Sequence, residues 1–102
     1  MAVPPMTDKA LCEHLKQFHR GQESAASSKE LEAAFHLKGT ELRRVINHLR
    51  CNSSPICNDA TGYFYAKRPS EIEATVAQLS GRISKISAAA KGLMKSYEEM
   101  EG

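Results

Sequence analysis

Apolar residues recur at helical spacing through the first half of the chain. Leu11, Leu15 and Phe18 fall at i, i+4 and i+7, one face of a helix over residues 8–19. Thr7 or Asp8 can cap it and Gly21 ends it. Residues 21–27 are small and polar and read as loop. Ser27 and Glu30 then form a capping box, so a second helix over residues 28–35 should bury Leu31, Ala34 and Phe35. Lys38-Gly39-Thr40 reads as a tight turn, with Gly39 free to adopt a left-handed conformation and Thr40 as the next N-cap. A third helix over residues 41–51 carries its apolar stripe at Leu42, Val45, Ile46 and Leu49. At about 100° per residue, the opposite face holds Thr40, Arg44 and Asn47, flanked by Glu41, Arg43 and His48.

The period then changes. Ile56-Cys57 and residues 63–66 are short β-prone runs around a five-residue loop, Asn58-Asp59-Ala60-Thr61-Gly62, which predicts a hairpin. Alternation puts Phe64 on one face and Tyr63 and Tyr65 on the other. Pro69 and Ser70 open a long helix with Glu71 and Glu73 in its first turn, where the helix dipole favours acids. Ile72, Val76, Leu79, Ile83, Ile86, Ala90, Leu93 and Tyr97 are spaced 4, 3, 4, 3, 4, 3, 4, the seam of helices that pair side by side. Gly81 and Gly92 weaken this helix, each by about 1 kcal/mol relative to Ala. The expected fold is mainly α with a small β-hairpin. A disordered arm (1–6) precedes a winged helix-turn-helix domain (7–68), a coiled-coil-like helix (69–97) and a frayed acidic tail (98–102).

Composition adds limits. A chain of 102 residues suits one domain, and with 6% aromatic residues and no Trp its core must be mostly aliphatic. No apolar run approaches the roughly 18–20 residues of a membrane span, and the first residues lack the pattern of a secretory leader, so a cytoplasmic protein is expected. The three cysteines, Cys12, Cys51 and Cys57, show no pairing or metal spacing and read as buried or half-buried thiols. The net charge of +2 is unevenly spread. Residues 35–68 carry six basic and two acidic side chains, whereas the thirds on either side each carry four basic and five acidic ones. The whole positive excess therefore coincides with the third helix and the hairpin, a footprint for a polyanion.

That coincidence decides the expected chemistry. Arginine suits guanine edges and asparagine suits adenine, so Arg43, Arg44 and Asn47, with His48 beside them, are candidate base-reading residues for double-stranded DNA. Lys38 and Thr40 at the helix start, Asn58 and Thr61 on the hairpin, and Lys67 and Arg68 after it are candidate backbone contacts. The seam residues Ile72, Val76, Leu79, Ile83, Ile86, Ala90 and Leu93 are expected to form a homodimer, the other reading being that the first part, Ile72 to Leu79, folds back on the winged-helix domain. Such a dimer would present two third helices to a pseudo-palindromic site. His14, His19, His36 and His48 are scattered without triad or metal logic, so no catalytic residue, metal, cofactor or small-molecule ligand is expected. The alternative is a protein-interaction adaptor whose winged helix and heptad helix bind a replication or other protein partner.

The stretches SSKELEAAF, KGTELRRVINHLRCNSSPIC and GYFYAKRPSEIEATVAQLSGRISKISAAAKGL resemble a family of small winged helix-turn-helix proteins of prophages and mobile elements in Gram-positive bacteria. The resemblance covers about residues 7–93. It implies DNA binding, with Arg43, Arg44 and Asn47 on the recognition helix and residues 58–62 as the wing turn. The implied role is transcription regulation or DNA replication.

Overall fold

The computed structural model describes residues 6–101. Three helices, α1 (Thr7–Phe18), α2 (Ser28–Phe35) and α3 (Gly39–Cys51), are followed by an antiparallel hairpin, β1 (Ile56–Asp59) and β2 (Gly62–Tyr65), and by a 33-residue helix, α4 (Pro69–Glu101). A 3-10 turn, Gln22–Ser24, lies between α1 and α2. The fold is mainly helical, as the periodicity implied. The disordered arm expected at residues 1–6 falls, but for Met6, outside the described residues.

One aliphatic core joins the three short helices. Leu11 and Leu15 of α1, Leu31 of α2, and Leu42 and Ile46 of α3 are at most 2% exposed. Each contributes about 1.5–3 kcal/mol by leaving water. Ile56 extends this core into the hairpin, with Tyr63 and Tyr65 half-buried against it, whereas Cys57 and its cross-strand partner Phe64 are buried on the opposite face. Three apolar assignments are corrected. Phe18, at the last turn of α1, is 59% exposed and its ring lies against His14, with centroids 5.2 Å apart. Ala34 is exposed, because the eight-residue α2 offers only a narrow stripe centred on Leu31. Cys51 is exposed at the end of α3, whereas Cys57 is buried and Cys12 half-buried; all three are free thiols.

The junction between α2 and α3 also differs from the expected one. Ser27 caps α2 as predicted, its hydroxyl accepting from the Glu30 amide at 3.1 Å. The left-handed residue is His36 (φ 53°), not Gly39. The Leu37 amide donates back to the Glu32 carbonyl at 2.9 Å, the Schellman arrangement, and Leu37 plugs into the core at 7% exposure. This early reversal lets α3 begin at Gly39, one residue before the expected cap. Thr40 is therefore inside the first turn. Lys38 is the N-cap, and its amide donates to the Glu41 carboxylate at 2.8 Å.

The hairpin is tighter than expected. Register pairs Ile56 with Tyr65, Cys57 with Phe64, Asn58 with Tyr63 and Asp59 with Gly62, leaving Ala60 and Thr61 as a two-residue turn instead of a five-residue loop. The Asp59 carboxylate organises that turn by accepting from the Thr61 amide at 2.8 Å and from the Thr61 hydroxyl. The segment expected to be loop before α2 lines the free edge of β2. The Gly21 amide donates to Tyr65 and the Tyr65 amide to His19, while Ala26 and Tyr63 exchange both backbone bonds, all at 2.8 Å. Residues 19–26 thus close the sheet edge with backbone alone, which is why their small polar side chains carry no strand pattern.

Helix α4 leaves this body soon after it starts. Glu71 and Thr75 are buried at its base and Leu79 is half-buried, but every residue from 81 to 100 is exposed. At about 1.5 Å per residue the helix is about 50 Å long. Its regular structure continues to Glu101, through the segment expected to fray. Among the described residues, no helix is long and apolar enough to cross a membrane.

Candidate nucleic-acid interface

The exposed side of α3 follows from its amphipathic sequence. Once Leu42, Val45, Ile46 and Leu49 are buried, Thr40, Arg43, Arg44, Asn47 and His48 must face solvent, and all five are exposed. Lys38 is exposed at the head of the same helix. Among the described residues, neither Arg43 nor Arg44 has a carboxylate within ion-pair distance. Glu32 lies in the neighbourhood of Arg43, since its carboxylate and the Arg43 guanidinium both come within 4 Å of where a Gly39 Cβ would stand. His48 is less available, because its Nε2 lies 3.5 Å from the Asp8 carboxylate and 3.1 Å from the Asn52 amide nitrogen.

The hairpin brings one predicted residue towards this face. Asn58 is half-buried and its side-chain oxygen accepts from Arg50 Nη2 at 2.9 Å; Arg50 Nε donates to the Ile56 carbonyl at 2.8 Å. Arg50 thus ties the end of α3 to β1. Thr61 is exposed at the hairpin tip. Sequence reading missed Arg50 as part of this surface, although Arg43, Asn47 and Arg50 stand at i, i+4 and i+7 and so share one edge of α3. It also missed Tyr63 and Arg82. With Arg43, Asn47, Arg50 and Asn58 these line a cleft of about 280 Å³ between α3, the hairpin and α4, floored by Ile46 and Leu79. No sequence pattern links Arg82 to α3; only the crossing of α4 over β1 brings it there.

Lys67 and Arg68 form a different cluster. Lys67 Nζ and Arg68 Nη2 lie 3.3 and 3.2 Å from the Glu23 carboxylate, and Arg68 Nη1 lies 3.0 Å from Glu71. These cations are already paired within the chain, so they are weaker candidates for phosphate contact than α3. The Glu71 carboxylate is the hub. It accepts from the Gln22 amide at 2.8 Å, the Lys67 amide at 2.7 Å and the Arg68 amide at 3.0 Å. One buried acid therefore caps α4 and clasps it to the 3-10 turn, a role that the dipole argument alone did not reveal.

This clasp predicts acid sensitivity. Burial alone would raise the Glu71 pKa, but the three amides and the Arg68 charge outweigh it and hold the pKa below the ordinary 4.5. Glu23 is held at about 2 by its own backbone amide, then by Arg68 and Lys67. Both carboxyls bind a proton less readily folded than unfolded. Their stabilisation is complete above the unfolded value and is lost as pH falls from about 5 towards 2. Melting temperature should fall over that window, and the fall should be shallower in Glu71→Gln, which starts from lower stability at neutral pH. An identical slope in the variant would remove Glu71 from the account.

Among the described residues, no group of three His, Cys, Asp or Glu side chains is arranged to hold a metal ion. Of the seam residues expected to pair two copies, Leu79 is half-buried against the body, and the others are open: Ile72 is 41% exposed, Val76 53%, Ile83 67%, Ile86 69% and Leu93 73%. Ala90 is also exposed. Comparison with protein-family models, with curated proteins and with solved structures gives no match to this chain.

Proposed function

We propose that the chain is a winged helix-turn-helix protein that binds double-stranded DNA as a homodimer, acting as a transcriptional regulator or replication factor of a phage or mobile element. In this reading α2 and α3 are the helix-turn-helix, α3 enters the major groove, and the β1–β2 hairpin is the wing. The observation that carries it is the exposed face of α3, where Thr40, Arg43, Arg44 and Asn47 lie together and neither guanidinium has a carboxylate partner among the described residues. Exposed arginines with no internal partner beside an asparagine are what base edges and phosphates require. Support for the wing comes from the tight hairpin directly after α3 and from residues 19–26 bracing its outer strand.

Fluorescence anisotropy with random-sequence and genomic duplexes tests the reading. Affinity should fall steeply with salt, and Arg43→Ala/Arg44→Ala should weaken binding by at least about tenfold, since each lost contact is worth ~1–3 kcal/mol. Equal binding by wild type and the double variant would defeat the recognition-helix assignment. The adaptor reading draws on the long exposed seam of α4, which would also suit the helix of a different protein. A wild-type chain that is monomeric at tens of micromolar would favour it over the homodimer.

A further inference from the structure

We propose that the cleft between α3, the hairpin and α4 is a seat for a phosphodiester group of the DNA backbone, and that Arg82 of α4 is one of its contacts. This rests on the DNA-binding reading above but extends it to a helix outside the winged unit. The cleft holds three guanidiniums, from Arg43, Arg50 and Arg82, with the amides of Asn47 and Asn58 and the ring of Tyr63, and no carboxylate lines it. Such a set offers hydrogen-bond donors and positive charge without internal neutralisation, which is the requirement for a phosphate.

Two features make it a built site and not a chance cluster. First, Arg50 is pre-positioned. Its Nε and Nη2 are held by the Ile56 carbonyl and Asn58, so its plane is fixed while Nη1 has no hydrogen bond among the described residues. Second, Arg50 and Arg82 repel each other. Burial, and to a lesser degree the Arg82 charge, lower the Arg50 pKa from its ordinary value. An anion between them would relieve that repulsion, and the apolar floor of Ile46 and Leu79 would strengthen the attraction by excluding water. The cleft opens beside Arg43 and Asn47, so a duplex engaged by α3 brings its backbone to this mouth.

The test is a salt titration of duplex binding by the full chain, its Arg82→Gln variant and a Lys91→Gln control, which removes a charge from the same helix beyond the cleft. Arg82 lies in the exposed part of α4, and unchanged thermal melts will establish that each variant is folded. Loss of one phosphate contact should weaken Arg82→Gln by about tenfold and reduce its slope of log affinity against log salt by about 0.9. Lys91→Gln should match wild type. Wild-type affinity and slope in Arg82→Gln, with duplex binding otherwise intact, would overturn the seat while leaving the DNA-binding reading standing. Equal losses in both variants would overturn it as well, by assigning the effect to net charge. A wild-type chain that binds no duplex at all would instead remove the underlying reading and the seat with it.

Discussion

Gly62→Ala should be among the most destabilising single substitutions in this chain, costing about 3 kcal/mol or more. Gly62 opens β2 at φ +134°, a conformation that L side chains rarely adopt and that costs of order 1–3 kcal/mol when forced. A Cβ there would also stand 2.2 Å from the Ala26 carbonyl oxygen and 2.6 Å from its carbon. Both obstacles are backbone, so no side chain can rotate away. Relief requires residues 19–26 to retreat from β2, breaking the paired Ala26–Tyr63 bonds, each worth about 1 kcal/mol when satisfied and more when left buried without a partner. A domain of this size has only about 5–15 kcal/mol of stability, so the thermal midpoint should drop by more than ~10 °C. Gly81→Ala is the internal contrast. Nothing lies within 4 Å of its would-be Cβ, and it sits in an exposed helix, so it should stabilise by up to ~1 kcal/mol. Melting of Gly62→Ala together with wild type would mean that the 19–26 edge is not held against β2 in solution.

Residue types that act locally were legible in the sequence, and those that act across the fold were not. The Ser27–Glu30 start of α2, the stripe of α3 and the pairing of Phe64 against Tyr63 and Tyr65 each depend on neighbours in the chain, and each was read correctly. The backbone edge at residues 19–26 was missed because its partner is some forty residues away and its bonds use no side chain. Residue preference points to Gly39 for the left-handed position, yet burial of Leu37 drives His36 into it, so a core contact outweighs the ~1 kcal/mol that glycine would save.

The candidate interface divides in the same way. Arg43, Arg44 and Asn47 are exposed because helical periodicity alone puts them opposite a leucine-rich stripe. Lys67 and Arg68 looked equivalent by charge and position, but Glu23 and Glu71 hold them. Charge counting treats all six cations of the middle segment alike, whereas Lys67 and Arg68 are paired with carboxylates and Arg50 is tied to β1 while still lining the cleft. Arg82, outside that segment, lines the same cleft as Arg43 and Arg50. The positive surface near α3 is therefore composed differently from the sequence tally: Lys38, Arg43, Arg44, Arg50 and Arg82, five cations instead of six.

Ile83→Asp/Leu93→Asp should abolish the proposed pairing of α4 helices, raising the dimer dissociation constant by more than about a thousandfold. Both positions are on the seam and both are open in the single chain, 67% and 73% exposed, so the folded body and its core have no reason to change. In a twofold assembly each substitution occurs twice, and each unpaired carboxylate driven into an apolar seam costs several kcal/mol. Every 1.4 kcal/mol is about tenfold in affinity, so even partial escape to solvent leaves a large effect. No internal rescue is at hand. The residues three and four positions either side of Ile83 and Leu93 are Leu79, Ser80, Ile86, Ser87, Ala89, Ala90, Ser96 and Tyr97, none of them a cation. Sedimentation equilibrium should find wild type near twice the 11.2 kDa of one chain and the variant at one chain. On DNA the variant should lose far more affinity for a duplex with two half-sites than for one with a single half-site. Only the former gains from two tethered recognition helices, whose second contact forms at the high effective concentration that tethering provides. Equal losses on both duplexes would mean that α4 pairing does not set the geometry of DNA engagement, even if it sets the mass.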